Sequence, residues 1–433
     1  MLRTDDSAIR RLAAHARTPL CDALLHALRR TTPAGAAVPT LLAVCPTSVA
    51  VVKASLLAAQ EADAPLCFAA TLNQVDTDGG YTGWTPERFV ALVRELGEEA
   101  GYAGPIVVGL DHGGPWLKDL HNREKWPLDR AMQGVKDSLL ACLEAGYDLL
   151  HVDPTVDRGL PSGEGMPIQT VVARTVELIS HVETHRRARD LPPVSYEVGT
   201  EEVHGGLADL ATFDTFLDGL RQGLLACGCN GVWPCFVVGK VGTDLHTTTF
   251  DSVVARNLVA RAARCGSVIK GHYTDYVSHP ESYPQCGIGG ANVGPEFTEF
   301  EYAALEALAR REAELGAAGK VPVPSGIMEA LREAVVAGGR WEKWRQPEEA
   351  GLRFHQLSPQ RQGWLMRTGC RYVWTVPELA AARQQLYANL GAAGEEGEAS
   401  VLRAVADSML HYYRAFGLMG SNERIAVALA GFR

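Results

Sequence analysis

Residues 106–115 read IVVGLDHGGP, an apolar and largely β-branched run that leads into an Asp-His pair and a glycine-rich turn. This pattern is typical of a buried strand that carries ionisable side chains at its tip. A helix cap followed by a surface histidine is the alternative interpretation of the same residues. The two interpretations differ in what surrounds the stretch, so the neighbouring segments decide between them.

Seven further runs of this kind lie between residues 40 and 294. They are TLLAV at 40–44, PLCFAAT at 65–71, YDLLHVD at 147–153, PVSYEVGTE at 193–201, WPCFVVGKVG at 233–242, CGSVIKGH at 265–272 and GIGGANVG at 287–294. Segments between them, such as 86–102 and 129–148, repeat apolar residues at three- and four-residue spacing and reach glycine near their ends, as amphipathic helices do. Eight strands alternating with helices predict an α/β protein, a (β/α)8 TIM barrel. A doubly wound sheet is disfavoured because no G-x-G-x-x-G follows the first strand.

The pattern changes after residue 300. FEYAALEALARREAELGAAG at 300–319 is a strong helical run, and further helical segments follow with turns rich in Gly and Pro. We therefore predict a barrel over residues 1–300 and a helical C-terminal region over residues 301–433. The region contains Trp341, Trp344, Trp364 and Trp374. These large side chains favour packing against the barrel or against a second subunit.

Composition excludes several classes of partner. The 433 residues carry a formal net charge of -10, so neither nucleic acid nor an anionic membrane is an expected partner. No signal-peptide pattern and no apolar run long enough to span a bilayer is present, and we expect a cytoplasmic protein. The ten cysteines are expected to be reduced. Cys227, Cys229 and Cys235 lack the second pair of a zinc knuckle and are better explained as small apolar fillers.

Polar side chains follow several of the predicted strands. Because active sites of (β/α)8 barrels lie at the carboxyl ends of the strands, we expect these side chains to converge. They are Asn73, Gln74, Asp111, His112, Asp153, Glu197, His246 and His272. Any one of the histidines taken alone is better explained as a surface or hydrogen-bonded imidazole. Several histidines and carboxylates at one barrel mouth are a ligand set for a divalent transition metal, most often zinc, with manganese, nickel or cobalt as alternatives.

Four motifs carry a family resemblance. TLNQVDTDGGYTGWTP at 71–86, VVGLDHGGP at 107–115, YEVGTEE at 196–202 and KGHYTDY at 270–276 resemble segments of the tagatose-bisphosphate aldolase GatZ/KbaZ family, which is in turn similar to class II metal-dependent aldolases. The resemblance implies a (β/α)8 barrel in which Asp111 is the proton donor and acceptor. It implies metal ligands at His112, His246 and His272. It also implies a catalytic or ligating role for Glu197, as a ligand or a nearby alternate ligand.

One segment departs from the class II pattern. A Gly-Gly-Ser turn that cradles a phosphate follows the strand-seven histidine in those aldolases, whereas this chain has HYTDY at 272–276, with bulky Tyr273 and Tyr276 and anionic Asp275. The metal half of the site is therefore expected to be kept and the phosphate half rebuilt. Predicted substrate contacts are Asn73, Gln74, Tyr81, Asp153, Lys240 and Asp275. His204 is predicted to be a loop histidine without a ligand role.

Three functions remain open at this point. The first is an enzyme that breaks and remakes the C3–C4 bond of an unphosphorylated ketohexose of the fructose/tagatose type, or of a related ketouronate, and so inverts C4. The second is a tagatose-1,6-bisphosphate aldolase. The third is a non-catalytic subunit that stabilises a separate aldolase. A small ketose is the expected substrate, and a homo-oligomer or a complex with a catalytic aldolase subunit is the expected assembly.

Overall fold

Eight parallel strands close into a barrel in the computed structural model, which describes residues 4–160, 165–199, 209–243 and 248–430. Each strand pairs with the next along the chain, and β8 pairs with β1. The strands are β1 (Leu41–Val44), β2 (Leu66–Thr71), β3 (Ile106–Gly113), β4 (Leu149–Val152), β5 (Ser195–Val198), β6 (Phe236–Val238), β7 (Val268–Gly271) and β8 (Gly290–Val293). All eight lie within the predicted runs, so the (β/α)8 fold is confirmed.

The strands are short and almost wholly buried, because side chains fill the barrel interior on one face while helices cover the other. Several of the helices before and around the barrel begin at capping residues such as Ser48 and Thr85, whose hydroxyl groups accept backbone N–H bonds. They are α1 (Ala8–Ala16), α2 (Leu20–Thr31), α3 (Val49–Ala62), α4 (Pro86–Ala100), α5 (Asp119–Arg123), α6 (Leu128–Ala145), α7 (Ile168–Ala188), α8 (Leu210–Ala226), α9 (Ser252–Arg264), α10 (Ser282–Cys286) and α11 (Pro295–Ala317). Gly101 and Gly146 end α4 and α6 in the left-handed conformation, as predicted for those two helices.

The C-terminal region is helical. Its helices are α12 (Ile327–Gly338), α13 (Pro359–Gly369), α14 (Pro377–Ala392), α15 (Gly397–Ala415) and α16 (Ser421–Ala430), with 3₁₀ turns at Arg340–Trp344, Pro347–Glu349, Phe354–Gln356 and Cys370–Tyr372. Apolar side chains of this region form a core of their own, in which Trp341 packs edge-on against Phe354 at 5.2 Å. Helix α15 also packs on α3 and contributes to the barrel core. The division of the chain at residue 300 stays a prediction, and α11 runs across it.

Two further properties concern the whole described chain. All ten cysteines are free thiols, and the groups of residues that are able to hold a metal contain none of them. Among the described residues, no helix combines the length and the apolar character that crossing a bilayer requires.

Candidate metal centre at the barrel mouth

A cluster of histidines and carboxylates occupies the carboxyl end of the barrel. The imidazole rings of His112, His151 and His272 form a triangle with sides of 5.0–5.3 Å. The carboxylates join these rings at hydrogen-bonding distance: His272 Nε2 to Glu197 Oε1 at 2.9 Å, His151 Nδ1 to Asp111 Oδ1 at 3.1 Å and His112 Nδ1 to Asp153 Oδ2 at 2.8 Å. The cluster therefore collects side chains from β3, β4, β5 and β7.

A β-bulge at the end of β3 explains how two consecutive residues reach this cluster. Side chains alternate between the two faces of a regular strand, so Asp111 and His112 would ordinarily point apart. The β3–β4 register shifts between Leu110 and Gly113, and His112 has a left-handed backbone with φ 53°. The shift turns both side chains toward the cluster. Left-handed backbone at a residue other than glycine costs free energy, and such strain is concentrated at functional sites.

The glycines after the Asp-His pair are required by the same bulge. A Cβ atom on Gly114 would lie 1.6 Å from the carbonyl oxygen of Asp153, and one on Gly113 would lie 2.5 Å from that of His151. The end of β3 thus approaches the β4 backbone too closely for any side chain. The opening stretch is a strand tip and not a helix cap.

The donor set fits a divalent transition metal. One ligand atom each from Asp111, His151, Glu197 and His272 lie within 4.8 Å of one another, and all four residues are buried. A second, overlapping set consists of His112, His151 and Asp153. Ligand bonds of about 2.0–2.2 Å place neighbouring donor atoms roughly 3–4 Å apart, so small side-chain adjustments bring either set onto an ion. Imidazole and carboxylate together suit zinc and its first-row neighbours.

A buried ammonium group balances part of the negative charge. Lys270 of β7 is 1% exposed, and its Nζ lies 2.5 Å from Glu197 Oε2. Burial alone would raise the pKa of Glu197, but Lys270 and the neighbouring histidines lower this pKa to about 2. Burial would lower the pKa of Lys270, but Glu197 and Asp111 raise it above its ordinary value. The pairing of Lys270 with Glu197 therefore favours the charged form of both groups.

Asp111 is another buried carboxylate of the cluster. Burial would raise its pKa, but the charges of His112 and His272 lower this pKa well below the ordinary value. Its second oxygen accepts a hydrogen bond from Asn292 Nδ2 of β8 at 3.2 Å. The carboxylate is thus ionised and held from both sides.

The structure brings together Asp111, His112, Asp153, Glu197 and His272 of the predicted set, although their individual roles stay predictions. His246 and His204 lie outside the described residues. Sequence reasoning missed His151, Lys270 and Asn292. The alternation of side chains was a usable signal for two of them, because His151 lies two residues before Asp153 and Lys270 two residues before His272.

Three predicted substrate contacts lie in the loop after β2, where their side chains contact neighbouring segments of the protein. Asn73 donates to the carbonyl oxygen of Leu117 at 2.9 Å and accepts from the backbone N–H of Asp119 at 2.8 Å. Gln74 Oε1 accepts from the backbone N–H of Thr71 at 2.7 Å. The Tyr81 ring packs edge-on against Tyr372 of the C-terminal region at 5.0 Å. Contact of these three side chains with a substrate stays a prediction.

Asp153, the fourth predicted contact, lies in the cluster, and the remaining two follow β6 and β7. Asp275 is turned toward the start of α11, where Oδ1 accepts the backbone N–H groups of Gly294 at 2.9 Å and Glu296 at 2.8 Å. Lys240 follows β6 by two residues and is half-buried. Their roles toward a substrate also stay predictions.

Comparison with known proteins agrees with this architecture. The chain matches the family model described as D-tagatose-1,6-bisphosphate aldolase subunit GatZ/KbaZ-like over residues 25–402. It is 25% identical to a probable tagatose 6-phosphate kinase from Sinorhizobium meliloti 1021, with a TM-score of 0.69 over 87% of this chain and 100% of that chain. The fold is shared with a fructose-bisphosphate aldolase from Campylobacter jejuni at 11% identity, with a TM-score of 0.53 over 93% of this chain and 94% of that one. The resemblance drawn from the four motifs is confirmed, and the chain belongs to the GatZ/KbaZ-like family.

Proposed function

We propose that this chain is a metal-dependent enzyme that opens and recloses the C3–C4 bond of a ketose and so inverts C4 of an unphosphorylated ketohexose or a related ketouronate. The family supports an aldolase-type function, as an enzyme or as a subunit of one. The observation that carries the enzymatic proposal is the buried carboxylate of Asp111 within a cluster of His and carboxylate donors. A purely structural subunit has no physical need for that arrangement, because burying several ionisable groups is costly.

The residues suited to hold the metal are His151, Glu197 and His272, with His112 beside them. A bound divalent ion would polarise the ketose carbonyl and stabilise the negative charge that develops on it. Asp111 takes the proton of the C4 hydroxyl as the C3–C4 bond breaks, and the electron pair of that bond passes toward the C2 carbonyl oxygen. The aldehyde formed at C4 turns over, the bond reforms on its other face, and Asp111 returns the proton.

The residues around Asp111 fix the position of its carboxylate. Asn292 and His151 contact its two oxygens at 3.2 and 3.1 Å, which fixes the direction of the carboxylate. Asp153 holds the His112 ring through Nδ1, so the imidazole next to the base keeps one orientation. A fixed base needs no rearrangement at the moment of proton transfer.

The start of α11 supports a substrate without a phosphate at that corner. Barrels of this fold frequently bind phosphate with the loops after strands seven and eight and with a helix N-terminus. Here the Asp275 carboxylate already accepts the N–H groups of Gly294 and Glu296. A phosphate at this position would compete with the Asp275 carboxylate for these two N–H groups, and the two acidic groups would repel each other.

The test is a metal analysis of the purified protein followed by incubation with fructose, with tagatose and with tagatose 1,6-bisphosphate. Bound metal and fructose–tagatose interconversion by the protein alone are expected. The Asp111→Asn variant is the control: it should keep the metal and lose at least about 100-fold in turnover, because a general acid/base contributes that much or more. Interconversion that survives in Asp111→Asn would exclude Asp111 as the base.

The second candidate is a subunit that works with a separate aldolase, which the word "subunit" in the family description supports. It predicts that the protein alone turns over none of the three sugars and that tagatose bisphosphate cleavage appears on mixing with a catalytic aldolase chain. Cleavage of tagatose bisphosphate by the protein alone would instead favour an aldolase. The metal analysis is common to all three arms, so one preparation separates them. Self-association, measured on that preparation by sedimentation, tests the proposed homo-oligomer.

A further inference from the structure

Arg371 belongs to the C-terminal region but lies at the rim of the barrel. It sits in the 3₁₀ turn Cys370–Tyr372, which directly follows α13. The next residue in this turn, Tyr372, packs on Tyr81 of the loop after β2, and Thr375 Oγ1 donates to the Tyr81 carbonyl oxygen at 3.4 Å. The turn is therefore docked on a loop at the carboxyl end of the strands.

The charge of Arg371 acts on groups of the barrel mouth. Burial raises the pKa of the Cys45 thiol after β1 and of the Asp275 carboxyl after β7, and the charge of Arg371 opposes both rises. The pKa of Cys45 also responds to Asp111 and Lys270 of the metal centre. Cys45 is tied to β8, since its N–H donates to the Val293 carbonyl oxygen at 3.0 Å. The Cys45 thiol thus responds to the charges of both the candidate metal centre and Arg371.

Arg371 differs from the other inward arginines of this region in its lack of a carboxylate partner. Three neighbours in the region are paired: Arg340 with Asp119 at 2.6 Å, Arg361 with Glu349 at 2.6 Å and Arg383 with Glu301 at 2.8 Å. Within the described ranges, no Asp or Glu oxygen lies within the 4.0 Å of an ion pair from Arg371. Its Nε is buried without a hydrogen-bond partner, and its contacts are the faces of Trp344 and Tyr372 at 5.3 and 5.0 Å. Arg371 is half-buried, and even partial burial of a cation without an anion costs free energy.

We infer that Arg371 binds the carboxylate of an acidic ketose, a ketouronate, at the rim of the proposed active site. This inference rests on the proposed function and narrows its substrate class. A guanidinium matches a carboxylate in two parallel hydrogen bonds and keeps its charge at every relevant pH.

Charge favours a carboxylate over a phosphate at this position. A phosphate monoester carries about -1.5 to -2 at neutral pH, whereas a sugar carboxylate carries -1. Asp275 is a carboxyl group at this corner whose pKa responds to the charge of Arg371. The second negative charge of a phosphate would repel Asp275 beyond what one guanidinium offsets.

The experiment measures binding and not turnover. Calorimetry on the metal-loaded full chain compares fructose, fructuronate and fructose 6-phosphate in wild type, Arg371→Met and Arg371→Lys. Wild type should bind fructuronate at least about 10-fold more tightly than fructose, and Arg371→Met should lose roughly 10- to 100-fold for fructuronate while its affinity for fructose is unchanged. Arg371→Lys should retain part of the preference. Arg367→Met removes an exposed arginine of α13 and is the matched control, expected to behave as wild type.

Several outcomes would overturn the inference. Equal losses for fructose and fructuronate in Arg371→Met would make Arg371 a packing residue. Tighter, Arg371-dependent binding of fructose 6-phosphate would make the ligand group a phosphate. Absence of any preference for fructuronate in wild type, including no binding of any of the three sugars, also contradicts it. Arg371-dependent fructuronate binding without turnover leaves the inference standing and removes the proposed function. Epimerisation of fructose without a preference for fructuronate does the reverse.

Discussion

Replacement of Lys270 by Met should weaken the fold and strengthen metal binding at the same time. Lys270 Nζ lies 2.5 Å from Glu197 Oε2, and both residues are buried. At an effective dielectric constant near 20, two unit charges at that separation attract by roughly 7 kcal/mol. Part of this attraction only offsets the desolvation of the ammonium, and breaking one side of a buried pair typically costs about 3–5 kcal/mol. We expect the metal-free variant to lose that much in free energy of unfolding.

The same substitution leaves Glu197 without its cation, so the site gains affinity for a divalent ion. The metal stabilises each protein by an amount that depends on its affinity for the folded state. If the metal stabilises Lys270→Met more than it stabilises wild type, the variant binds the metal more tightly. If the metal recovers as little as about 1.4 kcal/mol of the loss, zinc affinity rises tenfold. Denaturant unfolding with and without zinc, together with calorimetric zinc titration, measures both quantities.

Lys118→Met is the matched control for this prediction. Lys118 is also buried and also paired with carboxylates, Asp76 and Asp78, but outside the metal centre. We expect a comparable loss of stability with unchanged zinc affinity. If zinc affinity in Lys270→Met is unchanged or weaker, while its stability falls as in the control, then Lys270 does not oppose the metal and the reasoning is refuted.

Three further predictions concern the close packing at Gly114, the buried Glu296 carboxyl group and the hydrogen bond from Asn292 to Asp111. Gly114→Ala should lower the free energy of unfolding by more than about 3 kcal/mol or prevent folding, because the added Cβ would lie 1.6 Å from a carbonyl oxygen. Gly363→Ala, on the open face of α13, should instead raise the free energy of unfolding by about 0.5–1 kcal/mol. Equal effects of the two substitutions in denaturant unfolding would contradict the bulge argument. Burial raises the pKa of Glu296 from 4.5 to about 7, so the folded state holds this proton more tightly than the unfolded state does. The free energy of unfolding should therefore fall by up to about 3 kcal/mol between pH 5 and pH 8. Glu296→Gln should lack this fall when unfolding curves are measured at the two pH values. Asn292→Ala should lower kcat about tenfold at unchanged KM, since it removes a hydrogen bond to the Asp111 carboxylate; a change in KM alone would assign Asn292 to substrate binding.

The fold was predictable because the pattern is local. Each strand is a short apolar run, and the intervening helices show their period and their glycine ends, so the alternation of strand and helix is visible without any knowledge of contacts. The position of Asp111, Glu197 and His272 at strand ends follows from the same alternation once a barrel is assumed.

The remainder of the site depends on contacts that are distant in sequence. Asn73 emerges at a strand end as expected, but backbone groups of residues 117 and 119 decide where its amide points. The β3 bulge exists only relative to β4, and its sole local trace is the pair of glycines after His112. Arg371 comes from a 3₁₀ turn without periodicity, so no pattern connected it with the barrel mouth.

The β3 bulge makes the readiness of the site observable without ligand or turnover. The N–H of Asp153 donates to the Gly113 carbonyl oxygen at 3.1 Å. This amide is protected only while the end of β3 keeps the bulged pairing with β4 that turns Asp111 and His112 toward the cluster. Its hydrogen-exchange rate therefore reports local opening of the candidate site, separately from global unfolding.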